Sequence, residues 1–158
     1  MQQTYVDIML QSLRKKLQVL DQIMEQNVIQ KEKLEDDKAT ADEFDKTVEK
    51  KALLIEQLEQ LDSGFDKLYD RVKEELRINR PMYTQQIKSM QEYIRMITDK
   101  SMQIQTQEAR NRELMTQKFA MVRQKAKNLR TNNKAATKYY KNMMQLNYVA
   151  PQFLDNKK

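Results

Sequence analysis

Hydrophobic residues recur along the chain at steps of three and four, which is the period of amphipathic helices. The first run begins at Val6 and reaches Met24, so it predicts a helix over residues 3–37 with a narrow apolar seam. Thr40 and Glu43 then match a capping box, in which each side chain bonds the backbone N–H of the other residue. A turn is therefore expected before a second helix begins.

A second apolar stripe runs from Phe44 to Leu76 and predicts a helix over residues 41–79. Gly64, the only glycine, lies within this stripe and costs about 1 kcal/mol of helix propensity relative to Ala. It indicates a bend, a close helix approach or a tolerated glycine. Because Pro81 disfavours helical geometry at the residue before it, the second helix should end there.

The third segment is the longest, since 69 residues from Pro81 to Val149 contain no internal glycine or proline. It predicts a helix over residues 81–148, followed by a flexible tail over 149–158. This helix would measure about 100 Å, against about 50 to 60 Å for each earlier helix, so it should pass the end of the first helix near residue 120. We expect a single domain over 1–158, an all-α, elongated antiparallel three-helix bundle or coiled coil with a longer C-terminal helix that overhangs.

The amino-acid composition limits which kinds of functional site the chain can form. The chain has 33% charged residues, one Gly, two Pro and no Trp, as expected of long helices. It has no His and no Cys, which excludes zinc sites with these ligands, imidazole bases, thiol nucleophiles and disulfides. We expect no catalytic residue, no metal and no other cofactor. Since no run approaches about 20 apolar residues and no leader pattern begins the chain, we expect a cytoplasmic protein without stable membrane insertion.

Positive charge is concentrated at the C-terminal end. From Gln107 onward there are 12 Lys or Arg and three Asp or Glu, a net charge of +9, and no acidic residue lies between Glu113 and Asp155. Nucleic-acid binding is one explanation, because residues 132–136 partly match the basic region of leucine-zipper proteins. The expected Ser/Cys-Arg pair is replaced by Tyr139-Tyr140, however, and too little chain follows to form a zipper. We therefore expect no nucleic-acid partner.

Apolar residues in the same part of the chain favour a protein partner instead. Several of them are spaced as one helix face, and basic residues flank that face. The segment 115–148 is the candidate partner-binding overhang. The predicted partner-binding residues are Met115, Phe119, Val122, Ala126, Leu129, Tyr139, Tyr140, Met143 and Leu146, and the basic flank is Arg123, Lys127, Arg130 and Lys134.

Several stretches resemble FlgN-type flagellar export chaperones of Gram-positive bacteria. The second helix of that family is resembled by Asp42-Glu43-Phe44, residues 49–55 and residues 61–69. Its C-terminal end is resembled by Tyr139–Asn142 followed by residues 151–158. The resemblance covers most of the chain. It implies a cytoplasmic helical protein that binds the C-terminal helices of hook-filament junction proteins, prevents their premature assembly and delivers them to the export apparatus. The C-terminal part of the last helix would bind the client.

Two other functions stay open at the level of the sequence. The related FliT-type chaperones serve the filament cap protein instead. A structural homo-oligomeric coiled-coil scaffold or tether would pair its overhang with a second copy, and the oligomeric state is open. Four seam positions hold polar or charged residues, namely Asn27, Lys31, Glu108 and Asn111. Such residues favour pairing with one particular partner helix over association with any apolar surface.

The aromatic residues of the tail have three possible roles. Tyr139, Tyr140 and Phe153 could extend the client face, dock at the export gate or pack back on the bundle. Deleting residues 138–158 would separate these roles, since a packed anchor cannot be removed without lowering the melting temperature.

Overall fold

The computed structural model describes residues 3–129, and this part of the chain is almost entirely helical. No strand occurs within it. The helices are α1 (Tyr5–Glu35), α2 (Ala41–Ser63), α3 (Phe65–Asn79), a 3-10 helix (Arg80–Tyr83) and α4 (Thr84–Leu129). The expected all-α helical bundle with a long C-terminal helix is confirmed.

The predicted first helix is present but shorter by two residues at each end. The prediction was 3–37, and α1 covers Tyr5–Glu35. Its start follows from a cap, because the backbone N–H of Asp7 donates a hydrogen bond of 3.1 Å to Thr4 Oγ1. Thr4 thus satisfies one of the amide groups that the first turn of a helix leaves unpaired.

The turn between α1 and α2 is closed by the predicted capping box. The Glu43 N–H donates to Thr40 Oγ1 at 3.2 Å, and the Thr40 N–H donates to Glu43 Oε2 at 3.0 Å. These reciprocal bonds satisfy two backbone donors at the start of α2. The capping box expected from the sequence is confirmed.

Gly64 divides the predicted helix 41–79 into α2 and α3. Its backbone has φ −92° and ψ −3°, and the Leu68 N–H donates to the Gly64 carbonyl at 3.2 Å to begin α3. A Cβ atom placed on Gly64 would meet no other atom within 4 Å, so no neighbouring helix approaches closely there. The sequence offered a bend, a close helix approach or a tolerated glycine within one helix, whereas the structure shows a break between two helices, which the low helix propensity of glycine favours.

The start of the third predicted helix is displaced by a short 3-10 helix. Pro81 lies in that turn, where its missing N–H costs nothing, and Thr84 Oγ1 donates to the Pro81 carbonyl at 3.1 Å. α4 begins at Thr84 rather than at residue 81 and extends for 46 residues to Leu129. The predicted helix end at 148 and the tail 149–158 lie outside the described residues.

The chain, expected to be one domain, divides into two compact units. Unit 1 comprises Met1–Gln22 and Leu54–Met102. Its core joins α1, α3 and α4, and the central buried residues are Val6, Met9, Leu13 and Val72. Around this core, ion pairs join Lys16 to Asp62 at 2.8 Å and Lys100 to Asp21 at 2.6 Å.

Within the described residues, unit 2 comprises Ile23–Leu53 and residues 103–129. One apolar cluster in this unit consists of four buried residues, Leu34, Phe44, Val48 and Met115. Unit 2 differs from unit 1 in its interior chemistry. All six buried polar or charged residues of the described chain belong to it, namely Asn27, Gln30, Thr47, Lys51, Glu108 and Asn111.

Candidate partner-binding site

In unit 2, α4 passes the end of α1 close to the point that the sequence predicts. The Lys118 ammonium donates a hydrogen bond of 3.1 Å to the carbonyl of Asp36, the residue that follows the last residue of α1. The eleven residues from 119 to 129 add about 16 Å of helix after this contact. This C-terminal part of α4 is where the sequence placed the partner-binding face.

The first two predicted partner-binding residues have a structural role that the sequence did not predict. Met115 is 4% exposed and belongs to the core cluster with Leu34, Phe44 and Val48. Phe119 is partly buried and packs against the same cluster. Both side chains therefore stabilise unit 2, because removing apolar area from water favours the folded state.

Beyond Phe119, α4 presents a mixed apolar and basic surface. Met121 is 48% exposed, Val122 is half-buried, and Arg123 and Lys127 are exposed. The Arg123 guanidinium lies 5.0 Å from the centre of the Phe119 ring, a cation–π contact that restrains it beside the apolar residues. We call Met121, Val122, Arg123 and Lys127 the α4 end surface.

The other predicted site residues divide into two groups. Ala126 and Leu129 have helical backbones within α4. The remaining ones lie outside the described residues, and they are Tyr139, Tyr140, Met143, Leu146, Arg130 and Lys134.

A buried ion pair forms the centre of the polar interior of unit 2. Lys51 Nζ lies 2.6 Å from Glu108 Oε1, and the two side chains are 1% and 4% exposed. Lys51 Nζ also donates to Gln30 Oε1 at 3.4 Å, and Gln30 Nε2 donates to Thr47 Oγ1 at 3.2 Å. Together with Asn27 and Asn111 these four residues form what we call the polar layer.

Side-chain amides of the polar layer join α1 to α4. Asn111 Nδ2 donates to the Asn27 carbonyl at 2.9 Å and to Gln30 Oε1 at 3.2 Å. Asn27 Nδ2 donates to Gln107 Oε1 at 3.1 Å. The Oδ1 atoms of Asn27 and Asn111 are buried and accept no hydrogen bond from the described residues. Since buried polar atoms without partners cost stability, these two atoms offset part of the stabilisation that the hydrogen bonds of the layer provide.

Burial lowers the pKa of the Lys51 ammonium from its ordinary value, because a charge inside the protein loses its hydration. The Glu108 carboxylate acts in the opposite direction, and the positive charge of Arg112 lowers the pKa of Lys51 further. The charge on Lys51 in the folded interior therefore depends on its contact with the Glu108 carboxylate.

The sequence identified only part of the polar layer. Asn27, Glu108 and Asn111 were assigned to seam positions and are buried there, whereas Lys31, assigned with them, is half-buried and pairs with Glu35 at 3.4 Å. Lys51 was missed. Its signal was present, because it lies three residues after Val48 and four before Ile55 in the apolar stripe, but position alone does not identify its partner.

Neither the surface nor the interior of the described chain shows a metal site. Within residues 3–129, no group of three or more acidic side chains is arranged to hold an ion. None of the helices in this part of the chain is both long and apolar enough to cross a membrane.

Comparison of the chain with protein-family models, with curated proteins and with solved structures found no match.

Proposed function

We propose that this protein is an export chaperone of the FlgN type. In this proposal it works in the cytoplasm, binds the C-terminal helices of hook-filament junction proteins, prevents their premature assembly and delivers them to the flagellar export apparatus. It carries out no reaction of its own and requires no cofactor. The proposal combines the family resemblance in the sequence with the surface at the end of α4.

One observation supports the proposal most directly: α4 continues for eleven residues after Lys118 contacts the residue that follows α1. In this part of α4, Met121 and Val122 offer apolar area to a second helix. An amphipathic helix laid against such a face is a common mode of peptide recognition. Met adapts to varied partner surfaces because its side chain is unbranched and flexible.

The charge of the same surface suggests an acidic client. Arg123, Lys125 and Lys127 are all exposed on the last turns of α4. Basic residues around an apolar face attract acidic helices and orient them, which affects the association rate and selectivity more than the final affinity. Binding should therefore slow as salt increases, because exposed charges are screened.

Light scattering on the full chain tests the proposal. The protein is measured alone and with a C-terminal helical fragment of a hook-filament junction protein, and a filament cap fragment tests the FliT-type alternative. The proposal expects a stoichiometric complex with the junction fragment. A stable homo-oligomer that ignores both fragments would overturn it and favour the scaffold.

Matched methionine variants show whether the α4 end surface makes the contact. Met121→Ser should weaken binding of the junction fragment about tenfold, because an apolar contact is replaced by a hydroxyl group. Met102→Ser is the control, since Met102 is also an exposed methionine of α4 but lies in unit 1. Equal loss in both variants would argue against a site at the end of α4.

A further inference from the structure

Unit 1 contains an open apolar groove of about 640 Å³, which lies within the range of about 300–1,000 Å³ for ligand-binding clefts. α3 lines it with Phe65, Tyr69, Val72 and Leu76. These residues are spaced by three and four, so they form one face of the helix. α3 therefore presents a continuous apolar stripe to the groove.

α4 lines the same groove with a second stripe of this kind. Ile87, Met90 and Ile94 follow each other at steps of three and four, and Met9 and Leu13 of α1 complete the lining. The groove is open to solvent, since Ile94 is 51% exposed. Two apolar helical stripes with a gap between them match the ridge of side chains on a third helix.

Positive charge follows one edge of the groove. Lys73, Arg77 and Arg80 line it at steps of four and three along α3 and the 3-10 helix. Arg77 is already paired, because its Nη2 atom lies 2.6 Å from Glu74 Oε1. Lys73 and Arg80 also line this edge, with Lys73 Nζ 5.5 Å from the centre of the Tyr69 ring, and Glu74, the partner of Arg77, lines the groove as well. The α4 residue Gln91, which also lines the groove, is uncharged.

We infer that this groove, the α3–α4 groove, binds an amphipathic helix of another protein that carries acidic residues along one edge of its apolar face. A row of carboxylates can meet both Lys73 and Arg80, which line the same edge seven residues apart in the chain. A small apolar ligand with a single carboxylate would use only one of them. Because charge lies on the α3 edge alone, it also fixes how the bound helix is rotated.

This site goes beyond the proposed function because it uses no residue of the α4 end surface. Every residue that lines the α3–α4 groove belongs to unit 1. The two surfaces can therefore be tested separately in the same full-length protein. A partner bound in the α3–α4 groove would be a second protein rather than the client helix proposed above.

The probe is a fluorescent synthetic helix of about 18 residues, or five turns. It carries leucines at steps of three and four and glutamates seven residues apart on one edge. A matched peptide has lysines in place of the glutamates. Fluorescence anisotropy with the full chain should show one acidic peptide bound per chain and much weaker binding of the basic peptide.

Two matched pairs of variants locate the binding. Ile94→Ser should weaken binding of the acidic peptide about tenfold, whereas Ile78→Ser should not, since Ile78 is exposed in unit 1 but does not line the groove. Lys73→Glu should weaken the acidic peptide by about two- to fivefold and strengthen the basic one. Lys67→Glu makes the same charge change on α3 away from the groove and should change neither.

Each contrary result would overturn the inference in a different way. Equal binding of the two peptides would show that charge does not select the occupant. Loss of binding in Met121→Ser but not in Ile94→Ser would place the peptide on the α4 end surface and support only the proposed function. A concentration-dependent dimer that Ile94→Ser abolishes would make the occupant of the α3–α4 groove a second copy of this chain.

Discussion

Lys51 Nζ of α2 lies 2.6 Å from Glu108 Oε1 of α4, with both side chains almost completely removed from water. Taking two charges out of water costs several kcal/mol each, and their attraction offsets this only when the geometry is good and the remaining polar atoms are bonded. Gln30 provides one of these additional bonds to Lys51. Loss of either partner would therefore leave the other as an uncompensated buried charge.

Removing one member of this ion pair should cost far more than removing both. Lys51→Met is expected to lower the free energy of unfolding by about 3–5 kcal/mol, because it leaves the Glu108 carboxylate buried without its cation. Lys51→Met combined with Glu108→Leu should recover most of this loss. Urea denaturation measures the free energy of unfolding of the single and the double variant. Lys50→Met, at an exposed neighbouring position, serves as control and should change stability by less than about 0.5 kcal/mol.

The pH dependence of stability should reveal the lowered pKa of Lys51. In the unfolded chain Lys51 keeps its proton up to its ordinary pKa of 10.5, whereas in the folded protein it loses the proton at lower pH. Between these two pKa values the unfolded state binds more protons, so the contribution of Lys51 to the free energy of unfolding rises with pH.

The comparison that isolates this effect is between the natural protein and the Lys51→Met, Glu108→Leu double variant. The difference in their free energies of unfolding should shift in favour of the natural protein as the pH approaches 10.5. A shift in the opposite direction would mean that the attraction of Glu108 exceeds the cost of burial and raises the pKa of Lys51.

Gly64→Ala should stabilise the protein. The backbone of Gly64 has a negative φ that alanine adopts readily, and the added methyl group would meet no atom within 4 Å. Alanine also has fewer conformations to lose from the unfolded chain, so we expect a gain of about 0.5–1 kcal/mol in the free energy of unfolding. A rise in the thermal midpoint would measure it. A fall would mean that the break between α2 and α3 requires glycine.

Phe119 and Val122 should behave differently although both were predicted to bind a partner. Phe119→Ser removes a side chain packed on the cluster of unit 2, so it should lower the free energy of unfolding by about 1–3 kcal/mol. Val122→Ser should cost less than about 1 kcal/mol, because Val122 is not one of the side chains packed against that cluster. Equal costs would mean that the core extends farther along α4 than Phe119.

Local structure in this protein follows from residues that are close together in the chain. Hydrophobic periodicity predicted the helical segments, and the Thr40 and Glu43 side chains form the expected capping box because its atoms are only three residues apart. The low helix propensity of Gly64 gave a reason to expect a bend there, although one helix was predicted over 41–79 and the structure has two. Helical periodicity, caps and glycine positions depend on residues that are neighbours in the chain, so they can be recognised in the sequence.

Only the tertiary structure decided which faces meet. It placed Lys51 beside Glu108, put Met115 into the core cluster of unit 2, and in unit 1 left a groove between the apolar stripes of α3 and α4. Periodicity shows that a helix has an apolar face, but it does not say whether another helix of the same chain covers that face. That depends on the packing of residues far apart in the sequence, which is why the partner-binding face was predicted to begin at Met115, whose side chain is buried.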